Sequence, residues 1–393
     1  MENTITAPTR AGVKPFSHHE NDASGGPRMS GADLLGFEIR PNPKPATDEE
    51  RAAILADPGF GKTFTDHMVT IKWTEGIGWH SATVQPYGPL SLSPATAVLH
   101  YAQEIFEGMK AYHAADGGVT LFRARENARR FVESARRMAM PEMPEELFLE
   151  SLEQLVGIDR KWIPGDAETS LYLRPFMFAS EAFLGVRPAK EYLYCVIASP
   201  AAAYFKAGPK PISVWVSEEY TRAAPGGTGA AKCGGNYATS LLPQAEAIER
   251  GCEQVVFLDA VHRKYVDELG GMNVFFVYDA DRTVVTPELG TILPGITRDA
   301  VATLARDFGY EFVERAYSID EWRADAADGT LTEVFACGTA AVITPIGMAK
   351  GRNGDIEVGG GKAGELTMRL RQALLDVQHG TGPDRHGWIT RVA

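Results

Sequence analysis

The chain has few cysteines, few histidines and no excess of positive charge, and each shortage excludes a class of protein. Its four cysteines among 393 residues are too scattered for a disulfide framework, and no Cys-x-x-Cys pair is present to bind zinc. The nine histidines include no His-x-x-x-His pair, so we expect no metal site. With 39 lysines and arginines against 51 aspartates and glutamates, the net charge of −12 disfavours a nucleic-acid partner.

Long apolar runs are missing as well. Uncharged stretches such as residues 334–349 contain Gly, Pro and Thr and fall short of the roughly 20 apolar residues that a membrane helix needs. No apolar run follows basic residues near the N-terminus, so the sequence predicts no secretory signal. Apolar residues make up 44% of the chain and charged residues 23%, as in ordinary globular proteins. We expect a soluble, cytoplasmic protein without a membrane partner.

The patterns along the chain predict a disordered arm followed by two mixed α/β domains. Residues 1–32 are polar and contain almost no large apolar side chains, which is typical of disorder. Two prolines and a glycine interrupt the pattern at 204–211 and mark the best candidate linker. We therefore predict a smaller N-terminal domain at 33–204, a linker and the start of the second domain at 205–221, and a larger C-terminal domain at 222–393.

Periodicity predicts individual elements in the first domain. MVTIKW at 68–73 and LYLRPFMF at 171–178 are typical of strands. Ser93 and Pro94 form a typical helix start, and the apolar spacing that follows predicts a helix as far as Phe106. A second helix is predicted from Arg125 to Met138, with most of its arginines on a solvated face.

The most unusual segment is GGTGAAKCGGNY at 226–237. It is not a P-loop, because Ala231 and Cys233 flank its lysine where that motif needs Gly and Ser or Thr. It is not a dinucleotide loop either, because Lys232 stands where the third glycine belongs. A lone lysine among small, uncharged neighbours can be desolvated, which lowers the pKa of its amine and makes it nucleophilic. An exposed loop lysine is the alternative that this pattern leaves open.

If Lys232 binds pyridoxal phosphate, the chain must also supply an anion site, a carboxylate for the ring nitrogen and donors for the substrate carboxylate. A Pro-Gly turn before Ile296 and Thr297 leads into a predicted helix, whose first amides can face an anion. Glu268 precedes a buried strand, where a pyridinium nitrogen would be a suitable partner. The turn at 337–340 can present amides and a hydroxyl. An ordinary helix start, a turn carboxylate and a tight connection explain these three features equally well.

Taken together, these segments resemble the branched-chain aminotransferases of the fold-type IV pyridoxal-phosphate enzymes. The resemblance extends from about Pro58 to the C-terminus and is carried by HYAQEIFEGMKAY (100–112), LYLRPF (171–176), GGTGAAKCGGNYA (226–238), DELGGMNVFF (267–276), LPGITR (293–298) and EVFACGTAAVITP (333–345). It implies a two-domain, mixed α/β (α+β) fold with the active site between the domains. It also implies a homodimer that transfers the amino group between leucine, isoleucine or valine and 2-oxoglutarate, giving glutamate, by a ping-pong mechanism.

The resemblance also implies roles for individual residues. Lys232 is the Schiff-base lysine and the catalytic acid and base. The other cofactor-binding residues are Arg130, Ile296, Thr297 and Thr339 at the phosphate, Tyr237 at the phenolic oxygen and Glu268 at the ring nitrogen. The substrate-binding residues are Ala340 at the α-carboxylate, Arg174 at the distal carboxylate of glutamate, Phe106, Tyr172 and Tyr204 as pocket walls, and Tyr101, Leu184 and Val186 reaching the partner subunit's site.

Other functions are compatible with these motifs, and the sequence departs from the family pattern in two places. A D-amino-acid aminotransferase or an aminodeoxychorismate-type lyase shares the fold, and a cofactor-free nucleotide-binding module is an alternative from another class. Some family members carry Cys-x-x-Cys after the Gly-Thr-Ala turn; Ala341 and Thr344 occupy those positions here, so we expect no dithiol switch. Gly271 stands where some members have threonine, which affects one cofactor or substrate contact.

Overall fold

Two β-sheets organise residues 35–114, 116–165, 169–202 and 209–392, the part of the chain that the structure, a computed structural model, describes. In chain order the strands are β1 (Glu38–Ile39), β2 (His67–Thr74), β3 (Gly78–Pro86), β4 (Glu104–Phe106), β5 (Met109–His113), β6 (Val119–Phe122), β7 (Ser170–Ala179), β8 (Glu191–Ala201), β9 (Ile212–Ser217), β10 (Gln254–Leu258), β11 (Val266–Leu269), β12 (Asn273–Tyr278), β13 (Thr283–Thr286), β14 (Glu311–Glu314), β15 (Glu333–Gly338), β16 (Val342–Lys350), β17 (Ile356–Glu357) and β18 (Ile389–Val392).

The helices lie between these strands and pack on both sheets. They are α1 (Asp48–Ala56), α2 (Val98–Tyr101), α3 (Ala124–Arg137), α4 (Glu145–Ile158), α5 (Gly234–Ala238), α6 (Leu241–Glu249), α7 (Ile296–Asp307), α8 (Ile319–Asp328) and α9 (Glu365–Gln378). Among the described residues, no helix is long and apolar enough to cross a membrane. The prediction of a mixed fold of helices and strands is confirmed.

The first sheet is mainly antiparallel, and its strand order is β1-β3-β2-β8-β7-β5-β6-β18, with β4 beside β7. The second sheet is mixed, in the order β11-β10-β9-β16-β15-β12-β13-β14, with β17 beside β16. The chain's last strand returns to the first sheet, where Val392 lies opposite Val119. Sheet membership therefore does not simply follow chain order, and the domain boundaries at 205–221 stay a prediction.

One apolar core connects the two sheets. Tyr112 and Phe122 of the first sheet pack in the same cluster as Phe275 and Phe335 of the second sheet, together with helices α7 and α9. The other face of the first sheet is covered by α3 and α4, whose Phe131 and Phe148 contact each other. The two sheets are thus packed against each other through shared buried side chains.

The predicted helix from Ser93 to Phe106 is wrong. Only α2 is helical there; it ends at Ala102, which adopts a left-handed backbone conformation with φ of 49°. The chain then becomes β4, which pairs with β7 by placing Phe106 opposite Phe176. The helical spacing misled because Ile105 is buried in the sheet while Leu99, on the same predicted face, is largely exposed. Strand pairing with β7 therefore overrides the local periodicity.

Candidate active site

Lys232 lies at the end of the glycine-rich loop, shortly before α5, and contacts β4 of the first sheet. Its Nζ donates a hydrogen bond to the hydroxyl of Tyr237 at 2.9 Å and lies 5.0 Å from the centre of the Phe106 ring. Burial, assisted by the nearby Arg130 guanidinium, lowers the pKa of Lys232 to about 8. The exposed-loop alternative is therefore wrong, and the amine is unprotonated in a usable fraction at neutral pH.

The backbone of Lys232 is fixed from the first half of the chain. Its amide donates to the hydroxyl of Ser134 in α3 at 3.0 Å, and its carbonyl accepts from the amide of Phe106 in β4 at 3.0 Å. The side chain of Asn236 donates to the carbonyls of Thr228 and Ala231 and so holds the loop before the lysine. Two elements of the first half of the chain and the loop itself thus position one amine.

Arg130, in α3, reaches across to the start of α7. It forms a two-pronged ion pair with Glu107, with two N–O distances of 2.8 Å, and its Nη1 donates to the carbonyl of Pro294 at 3.0 Å. Helix α7 begins after Gly295, which has no side chain to cap the amides of Ile296 and Thr297. A buried guanidinium and uncapped amides therefore lie together, and this combination suits a phosphate group.

The glycine at position 295 is required by the neighbouring side chain. A Cβ there would collide with Oδ1 of Asn273. The same Asn273 donates to the carbonyl of Leu293 at 3.1 Å. The loop before α7 is therefore held against the second sheet with the backbone amides of the helix start exposed to the site.

Glu268 lies in β11 and is buried. Its Oε1 lies 2.8 Å from Nη1 of Arg222 and accepts the amide of Leu293 at 3.1 Å. Burial raises the pKa of Glu268 to about 7, although the Arg222 guanidinium favours the ionised form. Leu293 immediately precedes Pro294, so the carboxylate and the uncapped start of α7 are joined by one short segment of chain.

The turn that contains Thr339 and Ala340 connects β15 to β16 at the same edge. The carbonyl of Ala340 accepts a hydrogen bond of 3.0 Å from Nζ of Lys110, a buried residue of β5. Lys110 lies opposite Tyr172 in the first sheet. The turn of the second sheet is thereby tied to the strands that carry the aromatic residues.

Arg174 and two aromatic rings form the wall beside Lys232. Alternation along β7 places Tyr172 and Arg174 on one face of the strand. The Arg174 guanidinium lies 4.8 Å from the centre of the Phe106 ring and 5.4 Å from that of Tyr172, whose hydroxyl accepts its Nη2 at 3.1 Å. Within the described residues, no carboxylate lies within ion-pairing distance of Arg174, although its guanidinium interacts electrostatically with Glu104 at longer range, and its buried Nε has no hydrogen-bond partner. This wall combines the apolar surface of the two rings with a guanidinium that could contact an anionic group.

Three predicted site residues do not join this arrangement within one chain. Tyr101 is 41% exposed, Leu184 71% and Val186 92%, so these three side chains are not part of the buried site. Tyr204 lies outside the described residues. Of the remaining predicted residues, Lys232, Tyr237, Phe106, Tyr172 and Arg174 are linked by direct contacts.

The sequence patterns missed several residues that build the site. Arg222 and Glu107 were not distinguished, although each pairs with a predicted residue, Glu268 and Arg130 respectively. Ser134 and Arg137 were also missed; Arg137 donates to the carbonyls of Gly226 and Gly227. The spacing of 130, 134 and 137 along α3 is the signal that could have shown a polar face turned toward the glycine-rich loop.

Comparisons with known proteins agree with this geometry. The family model described as amino-transferase class IV matches residues 104–348. The chain is 60% identical over 359 residues to a probable branched-chain-amino-acid aminotransferase of Streptomyces coelicolor, covering 91% of this chain and 99% of that one. It is 58% identical over 362 residues to the branched-chain-amino-acid aminotransferase of Mycolicibacterium smegmatis, covering 91% and 98%.

Solved structures give the same result. The branched-chain amino acid aminotransferase from Escherichia coli superposes with a TM-score of 0.66 at 30% identity, covering 82% of this chain and 99% of that one. The T.th. enzyme of the same name, complexed with N-(5'-phosphopyridoxyl)-L-glutamate, gives a TM-score of 0.66 at 31% identity, covering 82% and 98%. The cofactor is pyridoxal phosphate, which excludes the cofactor-free nucleotide-binding alternative. The chain belongs to the branched-chain-amino-acid aminotransferases of the fold-type IV, pyridoxal-phosphate-dependent family.

Proposed function

We propose that the enzyme moves the amino group between leucine, isoleucine or valine and 2-oxoglutarate in two ping-pong half-reactions. The observation that carries this proposal is the wall beside Lys232, where Phe106 and Tyr172 offer apolar surface and Arg174 offers a cation that forms no ion pair among the described residues. An aliphatic side chain needs the apolar surface, and the distal carboxylate of glutamate needs the cation. One pocket can thus accept both substrates.

The donor set fits pyridoxal phosphate. Arg130 and the amides of Ile296 and Thr297 suit the phosphate dianion, with Thr339 on the neighbouring turn, and the absence of a side chain at Gly295 leaves the helix start open. The hydroxyl of Tyr237 suits the phenolic oxygen, and buried Glu268 suits a protonated ring nitrogen. When bound, the cofactor supplies an electrophilic carbonyl carbon and a ring that delocalises the electron pair of the substrate's Cα–H bond.

Lys232 acts as the nucleophile and then as the acid and base. Its unprotonated Nζ is the nucleophile that would hold the cofactor covalently. When it is not so bound, Nζ would accept the proton from the substrate Cα and could give it back. A pKa near 8 suits both directions of transfer at neutral pH.

The substrate carboxylate common to all amino acids is assigned to the turn at Thr339 and Ala340. Lys110 holds the carbonyl of Ala340 from behind at 3.0 Å, so the amides of the turn can face the opposite side. Two solved structures of one relative support the assigned substrates: the T.th. enzyme was complexed with N-(5'-phosphopyridoxyl)-L-glutamate and with 4-methylvaleric acid. A dicarboxylic and a branched aliphatic ligand thus both occur in that relative.

We also propose a homodimer as the working form. The side chains of Tyr101, Leu184 and Val186 leave large apolar surface exposed, and burying such surface against a second copy would be favourable. In a twofold dimer, each subunit could then line its partner's pocket with these residues.

A half-reaction screen with single amino acids tests the proposed substrates. The enzyme is loaded with cofactor and mixed with one amino acid at a time, and the keto-acid product is measured. We expect keto acid from L-leucine, L-isoleucine, L-valine and L-glutamate. Turnover of D-alanine without L-leucine would indicate a D-amino-acid aminotransferase, and pyruvate release from aminodeoxychorismate would indicate the lyase; either result contradicts the proposal.

A further inference from the structure

Arg222 and Glu268 form a buried ion pair that the proposed chemistry leaves unexplained. Nη1 of Arg222 lies 2.8 Å from Oε1 of Glu268, and both side chains are at most 3% exposed. Two charges removed from water depend on each other, because either one alone would carry a large desolvation cost. A carboxylate intended only for the cofactor would not need this second partner.

The surroundings of Arg222 fix its guanidinium in place. Its Nη1 also contacts the carbonyls of Gly229 and Thr291, both at 3.4 Å. Gly229 is packed closely there, since a Cβ would collide with the Thr291 carbonyl oxygen. Arg222 therefore joins the glycine-rich loop that leads to Lys232 with the loop that leads to α7, and its position does not depend on Glu268 alone.

The two carboxylate oxygens of Glu268 differ in their polar contacts. Oε1 lies in ion-pair contact with Nη1 of Arg222 and accepts a hydrogen bond from the amide of Leu293. Among the described residues, Oε2 receives only the side-chain amide of Asn273, at 3.5 Å. Oε2 is therefore the oxygen with unused acceptor capacity, and a protonated ring nitrogen is a donor that a carboxylate accepts strongly.

We propose that Arg222 is a positioning residue that keeps Glu268 ionised and turned so that Oε2 accepts the protonated ring nitrogen of the cofactor. The inference rests on the proposed role of Glu268. Other groups facing this carboxylate act in opposite directions: Asp267 favours its protonated form, whereas Lys232 and the Leu293 amide favour the ionised one. The pKa of Glu268 is already raised to about 7 with Arg222 present. Without Arg222, the carboxyl would be largely protonated at neutral pH.

Binding of two cofactors to the full-length enzyme tests the inference. Pyridoxal phosphate is compared with its deaza analogue, in which a C–H group replaces the ring nitrogen, by measuring both dissociation constants at pH 7. For Arg222→Gln we expect an affinity for pyridoxal phosphate weakened about tenfold or more, since one pKa unit corresponds to a factor of ten in ionisation. Affinity for the deaza analogue should stay unchanged, and Arg222→Lys should restore most of the lost affinity.

Equal losses for both cofactors would overturn the inference, because they would mean that Arg222 only supports the fold. Unchanged affinity for both would overturn it as well. If Arg222→Gln does not fold, the double variant Arg222→Gln/Glu268→Gln removes both charges together; we expect it to match Glu268→Gln in its affinity for each cofactor, and a further selective loss would contradict the proposal. Glu268→Gln alone separates the two claims: if it lowers affinity for neither cofactor, the proposed role of Glu268 itself is wrong.

Discussion

At the scale of single residues, the site works by giving charged groups unusual surroundings. Lys232 has a lowered pKa because burial and Arg130 both disfavour its ammonium form. Glu268 has a raised pKa because burial outweighs the help of Arg222. The two shifts bring both pKa values close to neutral pH. Near that pH the amine of Lys232 can accept a proton, and the carboxylate of Glu268 can accept a hydrogen bond from a protonated partner.

The pH dependence of covalent cofactor attachment follows from the amine. Because the pKa of Lys232 is lowered from 10.5 to about 8, half of the amine is neutral and nucleophilic near pH 8, and nearly all of it about one pH unit higher. The rate of covalent attachment of pyridoxal phosphate, followed by borohydride trapping, should rise through pH 8 and level off near about pH 9. Lys232→Ala should give no trapped adduct. A rate that keeps rising to about pH 10, the range of an unperturbed lysine, would show an ordinary, solvated amine.

Glu268→Gln should slow catalysis even when the enzyme is saturated with cofactor. The amide can still fill the space beside the ring, but it cannot stabilise a positive ring nitrogen. Losing a charge-assisted hydrogen bond costs about 1.5–3 kcal/mol, so turnover at saturating cofactor should fall by roughly one to two decades. Steady-state kinetics with L-leucine measures this loss. Near-normal turnover would show that the ring nitrogen has another partner.

Sequence analysis located the individual reactive residues better than their partners. Lys232 stood out because no other charge lies near it in a glycine-rich segment, and Glu268 because it precedes an apolar strand. Arg222 and Glu107 could not be chosen, because their roles arise only when the segments that follow β9 and β4 meet β11 and α3. A pairing between residues of different elements, far apart in the chain, leaves no periodic signal in the sequence.

At the scale of elements, helix α9 is capped by a side chain from a distant strand and not by a residue next to it in the sequence. Helix α9 begins after Gly364, which has no side chain to cap its amides. The carboxylate of Glu333 in β15 accepts the amides of Leu366 and Thr367, at 2.9 and 2.8 Å, and the hydroxyl of Thr367 at 2.7 Å. This cap holds α9 on the sheet that carries the Thr339 turn.

Glu333→Ala should therefore destabilise the protein. The substitution leaves two buried amides without partners, each loss costing about 1–3 kcal/mol. Urea unfolding should show a free energy of unfolding lower by at least roughly 2 kcal/mol. Glu365→Ala, an exposed change in the first turn of the same helix, is the matched control and should have little effect. Equal stabilities of the two variants would show that the cap contributes nothing.

Strands and helices with a clear periodicity of apolar residues were predicted well. Strand β4, which depends on pairing with a neighbouring strand, was not. The predicted strands at 68–73 and 171–178 correspond to β2 and β7, and the predicted basic helix corresponds to α3. The predicted helix ending at Phe106 failed because β4 is only three residues long and depends on β7 for its hydrogen bonds. A strand this short carries too little alternation to be recognised from the sequence.

At the scale of the whole molecule, the proposed dimer explains the exposed apolar side chains of Leu184 and Val186. Val186→Glu should weaken association, because burying one such side chain contributes about 1.5–3 kcal/mol and a twofold interface contains it twice. The dimer dissociation constant from sedimentation should rise by roughly two decades or more. Val261→Glu, which also replaces an exposed apolar side chain, is the control. Unchanged association of the Val186 variant would place the interface elsewhere.

We propose above all that one pocket accepts an aliphatic and an acidic substrate because Arg174 lies beside an aromatic wall. Single-turnover rates of Arg174→Leu with L-leucine and with L-glutamate test this claim most directly. Removing one partner of a buried charge pair costs about 2–5 kcal/mol, so the glutamate half-reaction should slow by roughly 30-fold or more. The leucine half-reaction should change little, because its side chain never contacts a charge. Equal losses for both amino acids would show that Arg174 is structural and would contradict the account.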